Sequence, residues 1–132
     1  MLKKKIVILF VLLIIIMFVN SGCYKTTTII INPGIAITSE MSFKNDILPI
    51  FQKSCALSGC HVSGGRSPDL TTTNAYSSLI NGNYIKINDP DNSIVMQWLT
   101  GKKFPPMPLG FGTNADLNAK IYAWIKQGAK NN

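Results

Sequence analysis

The sequence predicts one small domain that is mostly α-helical, and three observations carry this expectation. Apolar residues recur at helical spacing behind recognisable helix starts. No alternating pattern of comparable strength competes with them. The 91 residues from Ser42 to Asn132 suffice for a single core. A domain this small also gains from any bound group that adds apolar area to its interior.

The chain ahead of that domain reads as an address and a tether. Lys3, Lys4 and Lys5 precede an unbroken apolar run of 14 residues, 6–19. A membrane-crossing helix needs about 20 residues, whereas a signal-peptide core has about 7–15. Asn20, Ser21 and Gly22 then lead into Cys23. The pattern resembles a bacterial lipoprotein signal, with residues 1–22 removed and Cys23 lipidated as the first residue of the mature chain. Asn20 departs from that pattern, since a leucine-like residue usually stands three before the cysteine. An uncleaved anchor and ordinary secretion are the alternatives. Each route puts the remainder outside the cytoplasm, and lipidation would hold it to a membrane of the cell envelope, facing the periplasm or the exterior. Residues 23–41 form the expected tether. The β-prone stretch 26–31 has room for a short strand, and Asn32-Pro33-Gly34 signals a turn, but two apolar triplets build no domain.

Four helical segments are expected within residues 42–132. The first covers about 47–53, with Asp46 as N-cap, Pro49 in the first turn, and Ile47, Ile50 and Phe51 on one face aimed into Cys55. The second is a short turn from Ala75 to Ile80, closed by Asn81-Gly82. The third is capped by Asp89, with Pro90 at its first position and Asp91 at its positive end. It presents Ile94, Val95, Trp98 and Leu99 and stops at Gly101. The fourth has the strongest pattern: Thr113-Asn114-Ala115-Asp116 resembles a capping box, Leu117, Ile121, Trp124 and Ile125 follow at helical spacing, and Gly128 ends it.

The extracytoplasmic address excludes nucleic-acid work. The formal charge is +7, and losing Lys3, Lys4 and Lys5 with the leader leaves ten basic side chains against six acidic ones, or +4. The remaining lysines are scattered, so the charge bears on solubility and at most on docking to an acidic partner.

The chemistry concentrates in Cys55-Ala56-Leu57-Ser58-Gly59-Cys60-His61. Two cysteines with a histidine directly after the second are how a chain carries a covalent c-type haem, each thiol forming a thioether and the imidazole ligating the iron. The usual spacing is C-x-x-C-H, and this chain has two further residues between the cysteines. A disulfide loop with an incidental histidine is the competing reading. Zinc fits poorly, because four ligands from two separated pairs are usual and the chain has three cysteines and one histidine. With His61 alone, two-histidine ligation within one chain is impossible. Any second axial ligand is Met, Lys, Tyr, a small molecule or nothing.

Met107 is the expected sixth ligand. It lies in Phe104-Pro105-Pro106-Met107-Pro108, where three prolines stiffen an extended loop and present the thioether at low conformational cost. A methionine opposite a histidine raises the reduction potential. Met96, inside the third helix, and Met41, ahead of the domain, compete less well, and a lone methionine is often core filler.

The order of these features resembles single-haem cytochromes c of the class I type, and in particular lipoprotein-anchored cytochrome c domains of bacterial envelopes. The matching stretches are residues 47–61, 89–93, 104–108 and 124–129, which together span nearly the whole domain. The resemblance implies a helical fold wrapped around one covalent haem c. It assigns the thioethers to Cys55 and Cys60, the proximal imidazole to His61 and the distal sulfur to Met107. It also implies that the first and last helices cross, with Phe51 and Trp124 in contact. Two departures stand: the longer cysteine spacing, which Ser58-Gly59 accommodates as a bulge because glycine tolerates positive φ, and Pro-Pro-Met-Pro where many members read Met-Pro-Pro.

The function so implied is a membrane-anchored one-electron carrier for a redox protein partner, not an enzyme, because a His/Met-saturated iron has no open position. Lys102 and Lys103 border the ligand loop and suit an acidic partner, or are simply solvated. Two alternatives stay open: a haem-free, disulfide-closed lipoprotein interaction module, and a five-coordinate haem domain acting as a sensor or peroxidase.

Overall fold

The computed structural model describes residues 37–132. The apolar run 6–19, Cys23 and the triplets 26–31 lie outside them. Helices are the regular elements, with no strand among the described residues, as the patterning predicts. A π-helical turn, Phe43–Ile47, runs directly into α1 (Leu48–Ser54). Then come α2 (Ala75–Asn81), a single 3-10 turn Pro90–Asn92, α3 (Ile94–Leu99) and α4 (Ala115–Lys126).

The first helical segment begins a turn earlier than the sequence suggests, and its cap is Ser42, not Asp46. Ser42 Oγ accepts the Asn45 N–H at 3.2 Å, while Asp46 reaches back so that Oδ2 accepts the Ser42 N–H at 2.8 Å. The two side chains thus cap reciprocally, satisfying backbone donors that the helix start would leave unpaired. Pro49 explains the widened turn that follows. It has no N–H to give Asn45, and its ring would press on that carbonyl in a regular α-helix. The ladder shifts register just before it, with Ile47 N–H on Ser42 O at 3.3 Å and Leu48 N–H on Phe43 O.

The third helix also departs from expectation. Asp89 makes no side-chain bond to a backbone N–H, and its carboxylate accepts from the Asn92 side chain at 2.8 Å instead. Pro90–Asn92 is therefore a separate turn, and Ser93 is extended, with ψ 134°. The cause lies at Ser93. It is fully buried, and its Oγ accepts the Lys86 N–H at 2.8 Å, which pins the chain between turn and helix. The face turned inward is Met96 and Leu99, whereas Ile94, Val95 and Trp98 are half-buried. Gly101, at φ 75°, ends the segment as expected.

α4 keeps its expected buried face but shifts its cap by one residue. Asn114 and not Thr113 is the N-cap, its Oδ1 accepting the Leu117 N–H at 3.1 Å, and Asp116 makes no reciprocal bond among the described residues. Ile121, Trp124 and Ile125 are buried to within 1%. α4 packs on the π-helical turn, on α3 and on the 3-10 turn. Trp124 pairs with Phe43, their rings 5.2 Å apart, with Tyr76 edge-on to Phe43 at the same distance. Phe51 is buried in the same core as Trp124.

The folded unit reaches back past residue 42. Met41 is buried in the core, its N–H donates to Gln127 Oε1 at 2.8 Å, and Gln127 Nε2 donates to Ser39 O at 2.9 Å. The C-terminal tail returns the contact: Phe43 N–H donates to Asn132 Oδ1 and Lys44 N–H to Asn132 O, both at 2.9 Å. Residues 39–44 and 127–132 thus form a clasp.

The reassigned caps are testable by chemical denaturation. Ser42→Ala is expected to lower stability by about 1 kcal/mol, and Asp89→Ala by less than about 0.5 kcal/mol. No loss in Ser42→Ala would overturn the first reassignment, and a loss of about 1 kcal/mol in Asp89→Ala would overturn the second.

Candidate functional site

The candidate site lies in the irregular stretch between α1 and α2. α1 delivers Cys55 directly, since Cys55 is its C-cap and donates its N–H to Phe51 O at 2.8 Å. The chain then turns tightly. Cys60 N–H donates to Leu57 O at 2.8 Å across Ser58-Gly59, and Gly59 takes φ 77°. His61 N–H donates to Cys55 O at 3.1 Å. The five residues Ala56–Cys60 therefore fold out as a closed loop, and its two ends, Cys55 and His61, meet through a backbone bond. The two additional residues are absorbed in the turn.

The His61 ring is fixed at one nitrogen. Nδ1 lies 3.0 Å from Pro68 O and 3.1 Å from Arg66 O. A carbonyl only accepts, so Nδ1 carries the proton and Nε2 keeps its lone pair. Nε2 has no hydrogen-bond partner among the described residues, and the ring is half-buried. Histidines that bind a metal are held in this manner: one nitrogen donates to a carbonyl, which sets the tautomer and makes the other nitrogen a better donor to the metal.

Cys55 is a protonated thiol. Burial, with a smaller electrostatic contribution from Cys60, pushes its pKa from 9.0 to about 11. Both cysteines are half-buried free thiols. Such a site disfavours a thiolate ligand or nucleophile. A thioether carries no charge and meets no such penalty.

The structure separates the methionines. Met41 and Met96 are sealed in the core, at 8% and 4% exposure. Met107 is half-buried on a loop, its N–H donating to Trp98 O at 3.1 Å. Of the three methionines among the described residues, Met107 alone is not fully buried, and it packs against the edge of the core. Large apolar side chains near both ligand-bearing segments are exposed: Leu57 inside the cysteine loop, and Phe104, Leu109 and Phe111 around Met107, with Phe104 at 89%. Lys103 lies against the Trp98 ring, its Nζ 5.7 Å from the centroid.

A residue the sequence reading passed over is Asp69. Its Oδ1 accepts from Thr71 N–H at 2.9 Å and Thr71 Oγ1 at 2.6 Å, and its Oδ2 accepts from Ser63 Oγ at 2.7 Å and Asn74 Nδ2 at 2.8 Å. These bonds, led by that from the Thr71 hydroxyl, hold its carboxyl well below the usual carboxylate range. The local pattern Asp69-x-Thr71 is an Asx-type turn and readable as such. The reach to Ser63 and Asn74 has no local signal.

Among the described residues no group of three or more His, Cys, Asp or Glu side chains is placed to hold a bare metal ion. The donors on offer are one imidazole and one thioether, which suit iron held in a macrocycle more than a free cation. Comparisons with protein-family models, with curated proteins and with solved structures found no match. The functional argument therefore rests on this chain's own residues.

The Cys55 shift sets a pH dependence for the thiol form. The folded state favours the protonated thiol, so its contribution is fully present below about pH 9 and is lost as pH rises through about 11. A loss on the order of 2 kcal/mol is expected over that range, absent in Cys55→Ala, when unfolding free energy is followed against pH. Equal high-pH slopes in both proteins would contradict the burial of this thiol. Separately, Gly59→Ala meets no steric neighbour but holds its positive φ, and is expected to cost about 1 kcal/mol in thermal or chemical unfolding.

Proposed function

We propose that this protein is a membrane-anchored c-type cytochrome, a one-electron carrier with one covalent haem c. The observation that carries the reading is His61. It sits at the neck of the closed cysteine loop with Nδ1–H donated to Pro68 and Arg66 carbonyls, so that Nε2 offers its lone pair. The rest of the site is compatible with that group. Cys55 and Cys60 would carry the thioethers, and the desolvated position of Cys55 tolerates a neutral sulfur better than an ionised one. Met107, the one methionine of the described residues outside the buried core, would supply the distal sulfur, and Leu57, Phe104, Leu109 and Phe111 are apolar surface that a macrocycle would cover.

Haem supplies one-electron exchange at its iron. The chain's own part is to fix the imidazole, exclude water with apolar side chains and keep ligand geometry steady between oxidation states. With both axial positions filled, no substrate position remains, which is why a carrier and not an enzyme is proposed. Lipidation at Cys23 would hold the domain to an envelope membrane and leave a redox protein as its partner. One observation favours a second reading, the haem-free disulfide module: the His61 N–H to Cys55 O bond closes the backbone of the loop that carries both cysteines.

Colour separates these readings. Protein made in a host with cytochrome maturation is expected to show a sharp α-band on reduction, with haem retained through denaturation. A colourless protein with a Cys55–Cys60 disulfide, found by mass spectrometry, overturns the proposal. In coloured protein, Met107→Ala is expected to shift the visible spectrum and open the iron to small ligands. An unchanged spectrum would move the assignment to a five-coordinate haem of the sensor or peroxidase kind.

A further inference from the structure

The two carbonyls that hold His61 belong to a loop, and a carbonyl on a loop orients a ring only if the loop itself is fixed. Residues 62–74 contain no helix or strand. Their order comes from three sets of bonds. Backbone pairs tie the loop to the ligand segment: Arg66 N–H to Cys60 O at 2.9 Å and Leu70 N–H to His61 O at 2.8 Å. Gln52 Nε2, from α1, donates to Leu70 O at 2.6 Å. The third set converges on Asp69.

Asp69 directly follows Pro68, whose carbonyl makes the shorter bond to His61. Its carboxylate joins the two arms of the loop. One arm is Ser63, two residues beyond His61. The other is Thr71 and Asn74, which lead into α2. Its backbone N–H donates to Ser78 Oγ on α2 at 2.9 Å. Every bond Asp69 makes thus holds the Pro68 carbonyl at a set place between the ligand segment and a helix. No other side chain in this loop bridges both arms to the carboxylate's extent.

We propose that Asp69 is the positioning residue of His61: through Pro68 it selects the Nδ1–H tautomer and so leaves Nε2 as the donor. The consequence for a bound iron rests on the cytochrome reading, whereas the tautomer itself does not. Removing the carboxylate frees the loop, weakens the Nδ1–H bond and lets the ring exchange tautomers. In a haem-bearing protein it also makes the imidazole a poorer donor, which favours the reduced iron.

The test uses the single histidine of this chain, which gives one imidazole signal set. The full chain is prepared haem-free in detergent from cells without cytochrome maturation. Long-range proton–nitrogen spectra are recorded well above the ordinary His pKa of about 6.5. The wild type is expected to show one protonated nitrogen, Nδ1. Asp69→Ala is expected to show a mixture of tautomers. Asp69→Asn, which keeps an oxygen for Thr71, restores most of the wild-type pattern. Leu79→Ala, which loosens the core and removes none of the loop's side-chain hydrogen bonds, serves as the control for stability alone and is expected to keep the wild-type tautomer.

A single Nδ1–H tautomer in folded Asp69→Ala overturns the proposal, as does an equal mixture in Leu79→Ala. If Asp69→Ala does not fold, Ser63→Ala removes one arm only. A shift in the same direction then supports the proposal, and none overturns it. In the haem-loaded chain, Asp69→Ala is expected to raise the reduction potential, and a fall would contradict the donor argument. A protein that takes up no haem counts against the cytochrome reading, while the tautomer spectra still decide the role of Asp69.

Discussion

Trp124 is fully buried, with its ring 5.2 Å from Phe43 and 6.4 Å from Tyr76 and its indole N–H donating to Lys130 O at 2.9 Å. Each aromatic contact of this kind contributes about 0.5–1.5 kcal/mol beyond the area it buries. The arrangement joins three distant parts of the chain. Phe43 fixes the start of the first helical segment, Tyr76 fixes α2, and the Lys130 carbonyl turns the tail back over α4. Tyr76 adds a bond of its own, its hydroxyl donating to Ala129 O at 3.1 Å. α1 is continuous with the turn that carries Phe43, so the indole anchors the leading end of the segment whose C-cap is Cys55.

Between α1 and α2 the balance of forces is different. Fixing a residue's backbone costs about 1–2 kcal/mol in conformational entropy, and stretches this long without regular structure are uncommon in small domains unless function retains them. Pro68 and Leu70 are buried, but the neighbouring residues 63–67 are exposed, so apolar packing offsets only part of that cost. Polar closure does the remainder. The loop is cross-linked by backbone bonds to Cys60 and His61, by Gln52 from α1 and by the Asp69 carboxylate, which accepts four bonds. Hydrogen bonds to a charged acceptor are stronger than neutral ones, which is a reason for a carboxylate at this position.

Periodic features were legible in the sequence, and features that depend on distant partners were not. α4 was readable to within one residue because its buried face and glycine stop are local, and only its cap moved, from the Thr113…Asp116 box to Asn114. The early start at Phe43 was not, since Ser42 and Asp46 signal a cap only when taken as a pair and Pro49 pointed to a later beginning. Asp89 misled for a similar reason: the residue that decides the local geometry is Ser93, and its hydroxyl is committed to Lys86, seven positions away. At the candidate site, the cysteines and His61 are found by spacing and Gly59 by its tolerance of positive φ. Pro68 and Asp69 carry no such signature, because their part depends on carbonyls and carboxylates meeting side chains from elsewhere.

The clasp between residues 39–44 and 127–132 has a mechanical consequence. Any pull transmitted along the chain from ahead of Ile37 meets the clasp first. There it loads Gln127 on Ser39 and Met41, Lys130 on Glu40 at 2.9 Å, and Asn132 on Phe43 and Lys44. These bonds join two segments side by side, so they share the strain before it reaches the helix beyond. The cysteine loop and His61 lie further along the chain, past α1. A load applied at Ile37 would therefore fall on the tail of the same domain before it reached the cysteine loop and the imidazole.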